Sequence, residues 1–182
     1  GVIDCIQGSG AGTPAADMIF NIAMFRIILA CRISIADAGL GSVMRCGHRD
    51  IDVKEVSYYD DLAHSILGTS HEIVHKGGQV TGIYVDVFTA FKLNLNFKPG
   101  KSECMINLHG PESKMVRRQL ASAKFMIPFS AMDGEKDLRV VESYRHMGGQ
   151  LTTMNYNETM EVFFRCMCIR SDTKGLAYKV FH

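Results

Sequence analysis

Two adjacent carboxylates, Asp60 and Asp61, lie between two short runs that alternate apolar and polar residues, Val53 to Tyr58 and Leu62 to Leu67. Alternation at period two reads as a pair of strands, and aspartate favours the turn that joins them. The expectation is an antiparallel hairpin with Asp60-Asp61 at its turn. The pair constrains more than the local fold. Neighbouring anions repel each other, and burying them uncompensated is costly. A divalent cation removes that penalty, and oxygen ligands select Mg²⁺ or Mn²⁺. Adjacent strand residues point to opposite faces, so Asp60 is expected as the direct ligand, with Asp61 supporting it.

The rest of the chain reads as alternating helices and short strands. Gln7 to Thr13 is a glycine-rich loop, and Pro14 and Asp17 suit the first turn of a helix. That helix is predicted to run from Pro14 to about Ile35, with Ile19, Ile22, Phe25, Ile28 and Leu29 at helical spacing, until Gly39 and Gly41 break it. Thr69-x-x-Glu72 has the form of a capping box, opening a helix from Ser70 to about Lys92 that Gly77-Gly78 weakens. Strands are predicted at Leu93 to Phe97 and Cys104 to Leu108, about a turn at Pro99-Gly100. A hairpin joins Leu138 to Tyr144 with Gln150 to Thr153, and a last helix spans Asn157 to Arg170. Pro111 to Gly134 shows no readable period. The class is α/β or α+β with a small antiparallel sheet.

Composition bounds the function. With 182 residues, 47% hydrophobic and 21% charged, the chain suits a globular domain with its own core rather than a disordered segment. The six cysteines are sparse, mostly in apolar runs, and no signal-peptide pattern accompanies them. A reduced, intracellular setting is expected. Cys46-x-His48 and Cys166-x-Cys168 each resemble half a zinc site, but with closer spacing than structural zinc sites use. Met18 to Ile33 is apolar yet carries Asn21, Arg26 and Arg32, which points to a buried helix and no membrane. The net charge is +1. Locally, Asp50 to Asp61 holds five acids against Lys54, and Thr89 to Arg118 holds six bases against Glu103 and Glu112. An acidic cluster followed by a basic one fits a cation site beside a phosphate-binding surface.

Four motifs in order carry a resemblance. They are Gln7-Gly8 before a proline-started helix, Ser57-Tyr58-Tyr59-Asp60-Asp61, Leu93 to Glu103 with its Leu-Asn and Lys-Ser-Glu elements, and Tyr144-Arg145-His146-Met147-Gly148-Gly149. Together they resemble reverse transcriptases, in particular those of non-LTR retroelements. The resemblance implies a polymerase palm-like α+β fold, a small antiparallel sheet with helices packed on one face. It divides the chain into a partial palm, 1–153, and a possible start of the thumb or connection, 154–182. It implies RNA-directed DNA polymerase activity by two-metal nucleotidyl transfer, with Mg²⁺ or Mn²⁺ held at Asp60 and Asp61. Lys101 is then the proton donor to departing pyrophosphate. Gln7, Gly8 and Tyr58 contact template or nucleotide, and Tyr144 and Gly148 belong to the primer grip. The partners implied are an RNA template, a DNA primer, deoxynucleoside triphosphates and the rest of a polyprotein.

This sequence departs from the family in three places. Its opening loop is longer and richer in glycine, with Thr13-Pro14 in place of serine-proline; Met147 replaces leucine; and Lys92 stands where the family ends a helix on glycine, a position that tends to need positive φ. The first palm motif, with another metal-binding aspartate, is expected upstream of Gly1. The chain therefore reads as a fragment, inactive in isolation. Alternatives remain open. One is a decayed retroelement copy with residual nucleic-acid binding, and another is an unrelated intracellular α/β domain. A third is a zinc peptidase, since His71-Glu72-Ile73-Val74-His75 fits the H-E-x-x-H pattern.

Overall fold

A computed structural model describes residues 14–58, 61–110, 112–146, 149–152 and 177–181. The chain is α+β. In order come α1 (Pro14–Asp37), β1 (Ser42–Cys46), β2 (Arg49–Val53), β3 (Val56–Tyr58), β4 (Asp61–Ile66), α2 (Ile73–Ala90), β5 (Glu103–Met105), α3 (Ser113–Ser122), β6 (Met126–Ala131), β7 (Gly134–Val140), β8 (Ser143–His146), β9 (Gly149–Thr152) and β10 (Ala177–Phe181). Six strands form one sheet in the order β3-β4-β10-β5-β7-β6, while β1-β2 and β8-β9 are separate hairpins.

The sheet is mixed rather than wholly antiparallel, because β5 and β7 run parallel, Glu103 opposite Arg139 and Cys104 opposite Val140. Strand β10, from the segment beyond residue 153, lies between β4 and β5 and is antiparallel to both. The sheet thus draws on both sides of that sequence boundary. Alternation along the strands gives the sheet two different faces. Leu62, Ile66, Cys104, Ile127, Phe129 and Leu138 join a core with Ile27 and Cys31 of α1, Val80 and Tyr84 of α2, and Val116 and Leu120 of α3. Met105 instead packs with Tyr144, against Ala63 and Val141. All three helices therefore contribute to one core, and the β8-β9 hairpin supplies a second, smaller cluster.

Several expected elements differ. Leu93 to Phe97 forms no strand, and β5 is shorter than predicted. The 138–144 run splits between β7 and β8, so the later hairpin pairs Ser143 with Thr152 and Tyr144 with Leu151. The β1-β2 hairpin, α3 and β6 were not expected. The helix predicted over 157–170 lies outside the described residues. α1 is not a buried helix: Ile27, Ile28, Cys31 and Ile35 face the core, while Met18, Ile22, Phe25 and Ile33 are each more than half exposed. Its Asp17–Asp37 stretch is long and apolar enough, by length and composition, to cross a membrane.

All three helices end in the same way. Gly39, Lys92 and Lys124 occupy the left-handed region, at φ 67, 63 and 53. The next residue donates its N–H five residues back each time: Leu40 to Ile35, Leu93 to Phe88 and Phe125 to Leu120. These are Schellman caps, in which an apolar residue after the turn sits near one in the last helical turn. The positive φ expected at Lys92 is observed. A β-carbon in this region costs about 1–2 kcal/mol, so Lys92→Gly and Lys124→Gly should each stabilise the fold by about 1 kcal/mol in urea titrations. The two sites are independent and the effects should add.

Candidate functional site

Strands β3 and β4 pair as the expected antiparallel hairpin, with Asp61 in β4 rather than in the turn. Tyr58 pairs with Asp61, Ser57 with Leu62 and Val56 with Ala63, so a two-residue connection, 59–60, joins β3 to β4. Strand β3 begins at Val56 rather than Val53 because Lys54 and Glu55 leave the strand conformation. Asp61 is the first residue of β4 and Tyr58 the last of β3. Asp60, Gln7, Gly8 and Gly148 lie outside the described residues.

Lys101 occupies a turn held by backbone N–H groups that donate to both backbone and side-chain oxygens. Asn96 opens it, its side-chain oxygen accepting from Lys98 N–H (3.0 Å) and its carbonyl from Ser102 N–H (2.8 Å). Lys101 N–H donates to the Lys98 carbonyl at 3.0 Å, and Gly100 supplies the left-handed φ of 78°. Glu103 closes the turn, its buried carboxylate accepting Gly100 N–H at 2.8 Å with Arg139 4.0 Å away. Lys101 itself is exposed.

Register relates this turn to the hairpin. Val180 of β10 pairs with Ala63 on one side and Glu103 on the other. Strands β4 and β5 are thus parallel and begin at the same end of the sheet, two strand spacings or about 10 Å apart. Tyr144 joins them from the smaller cluster. It is 4% exposed, and its hydroxyl donates to the Lys101 carbonyl at 3.3 Å. Of the residues singled out by sequence, Asp61, Lys101 and Tyr144 are therefore gathered at one end of one sheet.

The acidic run from Asp50 does not act as one cluster. Glu55, its side chain 2% exposed, is paired with Arg32 of α1 at 2.5 Å. Asp50 faces Arg45 at 3.5 Å across the β1-β2 hairpin, and Asp52 faces Lys54 at 3.7 Å. Behind β4, His64 Nδ1 and the Tyr84 hydroxyl share a 3.0 Å hydrogen bond inside the core. Burial pushes the Tyr84 phenol up, and it pushes the nearby Cys31 thiol up to about 12, with the Glu55 charge adding to the effect.

The H-E-x-x-H run has a structural use. Thr69 N–H donates to the Glu72 carboxylate and Glu72 N–H to the Thr69 hydroxyl, both at 3.3 Å, which is the expected capping box. Those bonds hold the Glu72 carboxyl below the usual carboxylate range. The helix begins at Ile73, so His71 and Glu72 precede it, and His71 and His75 are both exposed. Among the described residues, no group of three or more His, Cys, Asp or Glu side chains assembles as a metal site. No protein-family model, curated protein or solved structure matches the chain.

Two glutamates named in the sequence for other reasons have structural roles that it did not indicate. Glu103 anchors the Lys101 turn, and Glu55 locks α1 to the start of the hairpin; neither role leaves a local pattern. Removing Arg32 would strand a buried carboxylate, whereas removing Glu55 leaves a guanidinium whose side chain is already 41% exposed. Arg32→Ala should therefore cost about 3 kcal/mol and Glu55→Gln about 1 kcal/mol in urea melts. The Cys31 shift carries a sign as well. Its thiol is raised in the folded state from an ordinary 9.0, so the fold binds that proton more tightly. The associated stability is complete below pH 9 and should decline as pH rises from about 9 towards 12. Comparing melts of the chain and of Cys31→Ala across that range checks it.

Proposed function

We propose that the chain is the rear part of the palm of an RNA-directed DNA polymerase of the non-LTR retroelement type. The observation that supports this most is the shared end of the sheet. There the Asp-Asp hairpin begins β4, the Lys101 turn begins β5 two strands away, and Tyr144 bonds to the Lys101 backbone. Helices pack on one face of this sheet, as a palm requires, and Lys101 is exposed at the end where β4 begins.

The donor set suits Mg²⁺ or Mn²⁺. The resemblance assigns the metal to Asp60 and Asp61, and the other acids of that run, Asp50, Asp52 and Glu55, each have a cation beside them. When bound, a pair of such ions activates the primer hydroxyl and neutralises charge on the leaving pyrophosphate. The chain's own groups do the remainder. Lys101, exposed and with no acidic partner among the described residues, donates a proton to the leaving group. Glu103 and Tyr144 fix the backbone on which that lysine stands, one through Gly100 N–H and the other through the Lys101 carbonyl. RNA template, DNA primer and deoxynucleoside triphosphate are the substrates in this reading, within a larger polyprotein inside the cell.

The test is primer extension on an RNA template by a completed domain that includes an upstream aspartate strand. Asp61→Asn should lower activity about 10–100-fold, as loss of a supporting carboxylate does, and Asp60→Asn should cost more. Lys101→Ala should reduce kcat with little change in nucleotide KM. Small, equal effects at the three positions would favour a decayed copy. The isolated chain should incorporate nothing above a buffer blank.

A further inference from the structure

Helix α3, which belongs to none of the four motifs, carries a cationic stripe whose placement does nothing for the helix itself. Its sequence, Ser113 to Ser122, contains Lys114, Arg117 and Arg118 and no acid. Val116 and Leu120 are buried at 2% and 5% and fix which side faces the core. At 100° per residue, Lys114 and Arg118 then project from the opposite side, and both are exposed. They stand four residues apart, neighbours on the helix surface, where like charges repel. Lys114 also lies in the first turn of the helix, where the positive end of the macrodipole disfavours a cation. Neither has an acidic partner among the described residues, in contrast to Arg32, Arg45, Lys54, Lys136 and Arg139. Arg117 is different, since its Nη2 donates to the Leu108 carbonyl at 2.9 Å. Lys124, exposed, extends the basic surface past the helix end. Lys114 and Arg118 line a shallow groove with Met115, Gln119, Ser122 and Ala123.

We infer that this face of α3 binds the sugar-phosphate backbone of a nucleic acid, centred on Lys114 and Arg118. Two unpaired cations held against the preferences of their own helix match the regular line of phosphates on a strand. A membrane surface fits less well, because Val116 and Leu120 are committed to the core and leave Met115 as the helix's one exposed large apolar side chain, too little to anchor it in a bilayer. The choice of nucleic acid among polyanions rests on the polymerase reading, whereas the cationic face does not. The contact is with backbone, so it is independent of base sequence.

Fluorescence anisotropy of the full chain with a short labelled RNA–DNA duplex, between about 50 and 200 mM salt, tests it. The double variant Lys114→Ala with Arg118→Ala should bind more weakly, and its slope of log K against log salt should be shallower by about two. Lys114→Arg with Arg118→Lys should restore the slope. The alanine variant should melt at the same temperature as the parent chain or slightly above it, since a repulsive pair is removed. An unchanged slope overturns the inference, and so does a loss confined to phosphatidylserine vesicles with duplex binding intact. A slope change at α3 in a chain whose completed domain shows no Asp60-dependent extension would keep this inference and overturn the polymerase reading.

Discussion

The contact on which the rest of the architecture depends is the approach of α2 to β6. A β-carbon at Gly82 would lie 2.4 Å from the Ser130 carbonyl oxygen, and one at Gly78 would lie 3.1 Å from that of Pro128. Glycine at these positions lets helix and strand touch backbone to backbone, at the helix-propensity cost that made Gly77-Gly78 read as a weakness. Everything else on α2 is referred to this contact. Asp86 accepts Met132 N–H at 2.6 Å at the β6-β7 turn, and the Tyr84 hydroxyl reaches His64 on β4. Lys76 donates to the carbonyls of Leu67 and Gly41 at 3.0 and 2.9 Å. One helix thereby links one edge of the sheet to the strand that starts with Asp61.

Charge is distributed by a related logic. Acids close in sequence to Asp60 and Asp61 are drawn into pairs: Glu55 in the interior with Arg32, Asp50 and Asp52 at the surface with weak, solvent-screened partners. Glu103 serves the backbone. Lys101 at the sheet end and Lys114 and Arg118 on α3 join none of the ion pairs among the described residues.

What the sequence made legible was local. Asp-rich turn chemistry between alternating runs located the β3-β4 hairpin, Thr69 and Glu72 located the cap, and Lys92 in place of glycine marked a strained helix end. What stayed hidden was either unusually patterned or long-range. α3 has just two buried apolar residues, Val116 and Leu120, and ends on a lysine instead of glycine, so neither period nor stop signal was visible. The β1-β2 hairpin turns at Gly47-His48 and is largely exposed, which weakens its alternation. The parallel β5-β7 pair and the insertion of β10 follow from contacts between distant segments that no local window contains. Of the candidate site, Asp61, Lys101 and Tyr144 were legible as motifs and their gathering as an implication of the resemblance; the strand that relates β4 to β5, β10, was not.

That inserted strand has a consequence for how the molecule is made. Leu62 finds its partner at Phe181 and Cys104 at Lys179, so the middle of the sheet closes last in order of synthesis. Until residues 177–181 leave the ribosome, β4 and β5 each present a row of unsatisfied backbone groups to the cell, the kind of edge that recruits other strands. Closing a loop of this length is slow relative to forming helices and hairpins. During that interval α2, already seated on β6 and touching β4, is what holds the two halves of the sheet in reach of each other. A chain lacking β10 would carry that open seam permanently, and its characteristic failure would be association with copies of itself rather than loss of helix.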